Sequence, residues 1–269
     1  MPDTSPPHQQ HDLQPALAAE LVAGLRLRGD GPLVYEIGPG QGALTAPALA
    51  SGASVVAVEI DPQRVRALQQ RFAEALASGQ LQLQQADGRR FLPRQLPAAG
   101  WRVLANPPFQ HSAELLQHWI LGSVAMGLPT AIDLVLQAET ARKLCPQPGA
   151  WTRSGVLLAA CGQARLGRVL GRRAVQPPSR VDLAWWSWRR HPQAPDHGRL
   201  QALAALLERG FRGDHSLRQA LRGMSTPAIL KRQAAEHHWN PDGPARALSP
   251  EAWLSLSDFL RSVGKISVP

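Results

Sequence analysis

Apolar residues recur at helical spacing between Leu17 and Leu27 (Leu17, Leu21, Leu25), and the run ends in Gly29-Asp30-Gly31-Pro32, a stop and a turn. Leu33–Ile37 (LVYEI) is short and mostly apolar, which predicts a strand, and a glycine loop and a helix from about Ala43 to Ala50 follow. Ser54–Ile60 (SVVAVEI) is β-branched and apolar until its end, the pattern of a parallel strand buried on both faces. Pro62 suits the first turn of a helix running through Arg64, Leu68, Phe72 and Leu76. Leu81–Gln85 alternates, and Trp101–Ala105 and Ala131–Leu136 read as further strands, with a helix from about Ser112 between them. Strands alternating with helices at this spacing predict an open, doubly wound α/β sheet.

Beyond this the texture changes. Val181–Arg189 is predicted as a last, aromatic-rich strand, and His191–Gly198, with two prolines, reads as a linker. Every periodic segment after Leu200 is helical: Leu200–Leu207, Leu217–Leu221, Pro227–Ala235 and Pro250–Leu260. The expected organisation is an α/β domain over residues 1–191 and a small helical domain over 192–269.

Composition narrows the class. Apolar residues are 44% and charged residues 18% of 269, which is globular rather than disordered. Lys and Arg number 29 against 20 Asp and Glu, a net charge of +9, and among the cations only Lys143, Lys231 and Lys265 are lysines. A field of that sign favours a polyanionic partner. Two cysteines, Cys145 and Cys161, make neither a disulfide framework nor a zinc site and suit a reducing compartment. The first residues contain no apolar core of a signal peptide, and the apolar stretch Trp119–Leu136 is broken by Gly122, Gly127, Pro129 and Asp133. A cytoplasmic protein that does not engage a membrane is the expectation.

Candidate chemistry gathers at the ends of the predicted strands. Glu36-Ile37-Gly38-Pro39-Gly40-Gln41-Gly42 follows one strand and opens a helix, where glycines admit a sharp turn and helix N–H groups are free for a ligand. The third glycine is not spaced as in the dinucleotide fingerprint. Glu59, with Ile60 after it, ends the next strand about 20 residues on, where an acidic residue accepts both hydroxyls of a ribose. Asp87, followed by Gly88, stands after the third strand and can accept from an adenine amine. Together these positions favour S-adenosylmethionine over a dinucleotide.

Asn106-Pro107-Pro108-Phe109 follows the fourth strand. The exocyclic amine of adenine or cytosine is a poor nucleophile because its lone pair is delocalised into the ring. The Asn106 side-chain oxygen and the Pro107 carbonyl can accept hydrogen bonds from that amine and orient it for attack on a sulfonium methyl, a matter of positioning and electrostatics. Phe109 offers a face for an extruded base.

With these motifs in place the chain resembles the rRNA adenine N6-methyltransferases: the macrolide-resistance enzymes acting on 23S rRNA and the housekeeping enzymes that dimethylate 16S rRNA. The resemblance runs through EIGPGQGALT (36–45), VVAVEID (55–61), QADGRRF (85–91), VLANPPF (103–109), DLVLQAETARKL (133–144), QPPSRVDLA (176–184) and FRGDHSLRQAL (211–221). It implies a Rossmann-like S-adenosylmethionine-dependent methyltransferase fold, an RNA-binding helical C-terminal domain and a monomer. It also implies cofactor contacts by Glu36, Gly38, Gly40, Glu59, Ile60, Asp87, Gly88 and Asn106, with Asn106, Pro107 and Phe109 at the target base. Pro107 stands where the family usually has Leu or Ile. In the N-terminal Gln10-His11-Asp12-Leu13, by which His11 and Leu13 would touch the cofactor, Asp12 replaces a phenylalanine.

The leading expectation is N6-methylation of an adenine in 23S rRNA, conferring macrolide–lincosamide–streptogramin resistance. The second is the housekeeping 16S rRNA dimethyltransferase. DNA or protein-glutamine methyltransferases share the Asn-Pro-Pro-aromatic motif but not the segment 176–184 or the helical tail. A non-catalytic RNA-binding or transcription factor on the same fold is opposed by the intact Glu59, Asp87 and Asn106. No role is assigned to His111 or to His237-His238 as a metal site. Trp185, Trp186 and Trp188 are expected in the core. Arg165, Arg168, Arg172, Arg173, Arg180, Arg189 and Arg190, with Asp182 their one nearby carboxylate in sequence, are expected to form an RNA-backbone patch.

Overall fold

The computed structural model describes residues 11–93, 98–107, 112–122, 127–213 and 215–266. The chain forms two compact units, one of Met1–Ala141 with Arg165–Arg189 and one of Arg142–Ala164 with Arg190–Pro269.

The first unit is built on strands β1 (Asp12–Leu13), β2 (Leu33–Ile37), β3 (Val55–Glu59), β4 (Leu81–Gln85), β5 (Trp101–Ala105), β6 (Ala131–Gln137), β7 (Gly162–Val169), β8 (Val175–Gln176) and β9 (Leu183–Arg190), of which β7 and β9 run across the division between units. Seven of them form one sheet in the order β4-β3-β2-β5-β6-β9-β7, while β1 and β8 pair separately. The pairings β4–β3, β3–β2, β2–β5 and β5–β6 are parallel, and β9 is antiparallel to β6. Every residue of β3 and β5 is buried, as their near-continuous apolar sequences require of strands covered on both faces. The chain proceeds from β2 outward to β4 and then returns to β5 on the other side of β2. The order reverses between β2 and β5, and open α/β sheets bind ligands at such a point, beyond the carboxyl ends of the strands.

Helices α1 (Pro15–Ala23), α2 (Thr45–Ala50), α3 (Pro62–Arg71), α4 (Ala73–Ala77) and α5 (Ser112–Leu121) connect these strands. Asp61 caps α3, its side chain accepting from Gln63 N, and Pro62 occupies the first turn. The single helix predicted through Leu76 is two: Phe72 leaves helical geometry at φ −116°, ψ 32°. Trp186 and Trp188 of β9 are fully buried and Trp185 is 9% exposed, so the core reading of the three tryptophans holds. Asp133, in the middle of β6 and 0% exposed, accepts from Arg102 of β5 at 2.5 Å and from Arg189 of β9 at 2.8 Å. A buried carboxylate persists only with such partners.

In the second unit, helices Arg153–Cys161, His197–Gly210 and Pro250–Ser262 pack together, Leu217–Ala220 packs against His197–Gly210, and Pro227–Glu236 sets Arg232 over the Phe259 ring. Arg153–Cys161 buries Val156, Leu157, Leu158 and Cys161 and packs against His197–Gly210 and Pro250–Ser262. That packing places Arg142–Ala164 with the helical unit, although this stretch precedes residue 192. Asp196, Thr226 and Ser249 cap the three longest helices after residue 190. No helix among the described residues is long and apolar enough to cross a membrane.

Candidate active site

β2 pairs in register with β3 on one side (Ile37 opposite Val58) and with β5 on the other (Ile37 opposite Ala105). Hydrogen bonding continues past the strand ends, where Gly38 N donates to the Val58 carbonyl at 3.0 Å. Parallel register therefore brings the glycine loop, Glu59 and Asn106 to one edge of the sheet. Gly38 and Gly40 hold φ of +69° and +59°, which side chains disfavour. At Gly40 a Cβ would also come within 2.6 Å of Asp12 Oδ1 and 2.9 Å of Arg64 Nη1, so those two side chains would have to move aside.

Glu59 is 2% exposed. Its Oε1 accepts from Ile60 N at 2.8 Å and Asp61 N at 3.0 Å, and Oε2 accepts from Gly40 N at 3.3 Å. The carboxylate thereby ties the glycine loop to the start of α3. Each oxygen has two lone pairs, and Oε2 meets only the long Gly40 contact among those described, so it retains capacity for a hydroxyl. Beside it Ile60 is 53% exposed, an apolar surface at the site's edge.

Glu36 turns inward. It is 1% exposed and accepts from Thr45 Oγ1 at 2.6 Å. Burial pushes its carboxyl up to about 7; the charge of Glu59 adds to the rise, while the Thr45 hydroxyl and N–H oppose it. Glu36 is therefore placed to brace the base of the loop through α2.

At the end of β4, Asp87 accepts from its neighbour Arg89: Oδ1 from the backbone N–H at 2.9 Å and Nε at 3.0 Å, Oδ2 from Nη2 at 2.8 Å. The hydrogen bonds from the Arg89 side chain hold the Asp87 carboxyl below its ordinary range. An adenine amine would share Asp87 with Arg89. Gly88 follows, and a side chain there would strike Ile37 of β2.

Asn106, directly after β5, donates from Nδ2 to the His11 carbonyl at 2.6 Å. Its Oδ1 is buried and has no partner among the described residues. Pro107 is buried next to it, while Phe109 and His111 lie outside the described residues. His11 Nδ1 is 2.7 Å from the Pro177 carbonyl oxygen. Leu13 is 3% exposed and belongs to the same buried cluster as Val34, Leu104 and Val175, so its side chain anchors the segment.

This donor set suits S-adenosylmethionine. Glu59 supplies a buried carboxylate for ribose hydroxyls, Ile60 an exposed apolar side chain and Asp87 an acceptor for an amine. The Asn106 oxygen, unpartnered among the described residues, is a buried polar atom that a ligand or water can satisfy. Asp12, Gln41, Arg64 and Arg89 also line this edge. Sequence reasoning assigned them no role, and the one available sign was the charged Asp12 where the family has an aromatic residue.

The expected arginine patch is partly neutralised. Arg168 pairs with Glu20 at 2.6 Å, Arg172 with Asp182 at 3.7 Å and Arg189 with the buried Asp133 at 2.8 Å. Arg172, Arg173 and Arg180 are exposed.

Residues 9–262 match the family model described as ribosomal RNA adenine dimethylase. The chain is 34% identical over 254 residues to ribosomal RNA small subunit methyltransferase A of Thermosynechococcus vestitus, covering 92% of this chain and 93% of that one. It is 30% identical over 252 residues to the protein of the same name from Synechococcus elongatus, covering 90% and 89%. Among solved structures it resembles the 23S rRNA methyltransferase ErmE (TM-score 0.71, 20% identity, 93% of this chain and 99% of that one). It also resembles a dimethyladenosine transferase from Plasmodium falciparum (TM-score 0.72, 17% identity, 95% and 98%). At those identities the structural likeness speaks for the fold.

Proposed function

The chain belongs to the ribosomal RNA adenine dimethylase family, and from that premise we propose that it dimethylates N6 of adenine in small-subunit (16S) rRNA. It is an S-adenosylmethionine-dependent rRNA adenine methyltransferase of Rossmann-like fold. The 23S substrate and the resistance role expected from sequence give way to the second reading. Relatives at 30% identity or more over nine-tenths of the chain are named for the small subunit, whereas the likeness to a 23S enzyme is structural, at 20% identity.

The observation that carries the mechanism is the buried, unpartnered Oδ1 of Asn106 beside the glycine loop. Bound S-adenosylmethionine supplies an electrophilic methyl on its sulfonium. Glu59 would take the ribose hydroxyls of that cofactor, Ile60 would offer an apolar face to its adenine, and Asp87 would accept from the adenine's amine. Asn106 Oδ1 and the Pro107 carbonyl accept from the target amine and direct its lone pair. Removing one such group typically costs about 10²–10³ in rate. No general base is needed: as the N–C bond forms and the methyl–sulfur bond breaks, the nitrogen becomes strongly acidic and its proton passes to water. Phe109 stacks on the extruded base. Exposed Arg172, Arg173 and Arg180, with the helical unit, contact phosphates of a folded RNA read mainly by shape.

Mass mapping of rRNA from cells expressing the protein, with primer-extension stops, tests the substrate. N6-dimethyladenine in 16S rRNA is the expected result; modification confined to 23S rRNA would restore the resistance reading.

A further inference from the structure

The segment before α1 is fastened on both sides of the candidate site. Asp12 and Leu13 pair antiparallel with Gln176 and Val175, and Gln14 N donates to the Ala174 carbonyl at 2.9 Å. In the other direction Asp12 Oδ2 accepts from Gln41 Nε2 at 2.9 Å and Oδ1 from Arg64 Nη1 at 3.5 Å. Gln41 is itself held, its carbonyl accepting from Arg71. These contacts lie directly on Gly40, where a Cβ would meet both Asp12 and Arg64.

Between the two fastenings the His11 carbonyl accepts from Asn106 Nδ2 at 2.6 Å. An amide has one donor end and one acceptor end, so committing Nδ2 to a carbonyl leaves Oδ1 as the free end. Were the amide to flip, its NH2 group would face the hydrogens of the target amine and its oxygen would face the His11 oxygen, both repulsive.

We propose that Asp12 is a positioning residue: by gripping Gln41 and Arg64 it holds the N-terminal segment so that the His11 carbonyl keeps Asn106 in its acceptor orientation. The inference rests on the role given to Asn106 above. Asp12 touches no reacting atom and acts through the backbone of its neighbour.

The test compares Asp12→Ala, Asp12→Asn and Asn106→Ala. Hydrogen exchange is measured on the cofactor-free protein, and steady-state kinetics on rRNA substrate. In Asp12→Ala the Gln14 amide should exchange faster while β3 keeps its protection, and kcat should fall about 10- to 100-fold with KM for RNA unchanged, the scale of a misplaced catalytic group. Asp12→Asn keeps an acceptor for Gln41 and should recover most of kcat. Wild-type protection at Gln14 in Asp12→Ala, an unchanged kcat, or an Asn variant no better than Ala would overturn the proposal. Full activity of Asn106→Ala would instead remove Asn106 from the mechanism; an inactive Asn106→Ala beside a fully active Asp12→Ala would remove Asp12 alone.

Discussion

Two polar side chains on either side of β2 are treated in opposite ways. Glu59, ending β3, is held by the fold: three backbone N–H groups from the glycine loop and the start of α3 point at it, and Oε2 keeps room for a further donor. Asn106, following β5, has one end tethered and the other left buried without a partner among the described residues. The cofactor side is thus a hydrogen-bonded frame that stands without ligand, and a ribose adds to bonds already made. The target side carries an unpaired acceptor, a state that costs about 1–3 kcal/mol and is relieved by a bound donor. Binding and reaction are separated by the strand between them.

Breaking the target side should have the largest effect. Asn106→Ala is expected to lower kcat about 10²–10³-fold while calorimetry finds cofactor affinity within a few-fold of wild type. A matching loss of affinity would dissolve the division between the two sides. Glu59→Gln should show the converse. Its cofactor Kd should rise about 10- to 100-fold, as for lost hydrogen bonds to a charged acceptor, with the loss of turnover repaired by saturating cofactor. Phe109→Ala should lower kcat/KM on rRNA roughly 5- to 150-fold, the worth of one stacked base, with cofactor binding untouched and Phe109→Tyr active.

The smallest effect sharpens the cofactor side. Burial raises the Glu36 carboxyl from an ordinary 4.5 to about 7. Between those values the unfolded chain releases the proton before the folded one does. Glu36 therefore makes stability fall as pH rises through that window and level off above it. Glu36→Gln, which keeps an acceptor for Thr45, should remove this contribution, so that denaturation midpoints of variant and wild type diverge from pH 5 to 7 in favour of the variant. Parallel profiles would show that Glu36 is ionised throughout.

How much was legible in the sequence follows the range of the forces involved. Predicted strands 33–37, 81–85 and 101–105 match the observed spans residue for residue, because flanking turn residues and an apolar run are local signals. The strand Gly162–Val169 and the helix Arg153–Cys161 were not anticipated. The strand's sequence, GQARLGRV, is largely exposed, has no apolar run, and alternates only from Gln163 to Leu166 before Gly167 interrupts the pattern. The break at Phe72 was equally invisible, since helical spacing continues across it. The carboxylates inside the arginine cluster were hidden for a related reason: Glu20 and Asp133, which pair with Arg168 and Arg189, are far away in sequence.

By itself the sequence determined the alternation of strands and helices, the glycine loop, the strand-end positions of Glu59, Asp87 and Asn106, and through its motifs the family and its chemistry. Periodicity, turn residues and motif spacing act over a few residues, and a parallel sheet carries every strand end to the same edge. Only the tertiary structure decided which atoms of those residues remain available. Arg89 occupies Asp87, backbone donors take Oε1 of Glu59 and leave room at Oε2, and Asp12 reaches Gln41 and Arg64 across the glycine loop. Hydrogen bonds and ion pairs depend on distances of about 3 Å, and segments far apart in the chain come that close only when the fold sets them side by side.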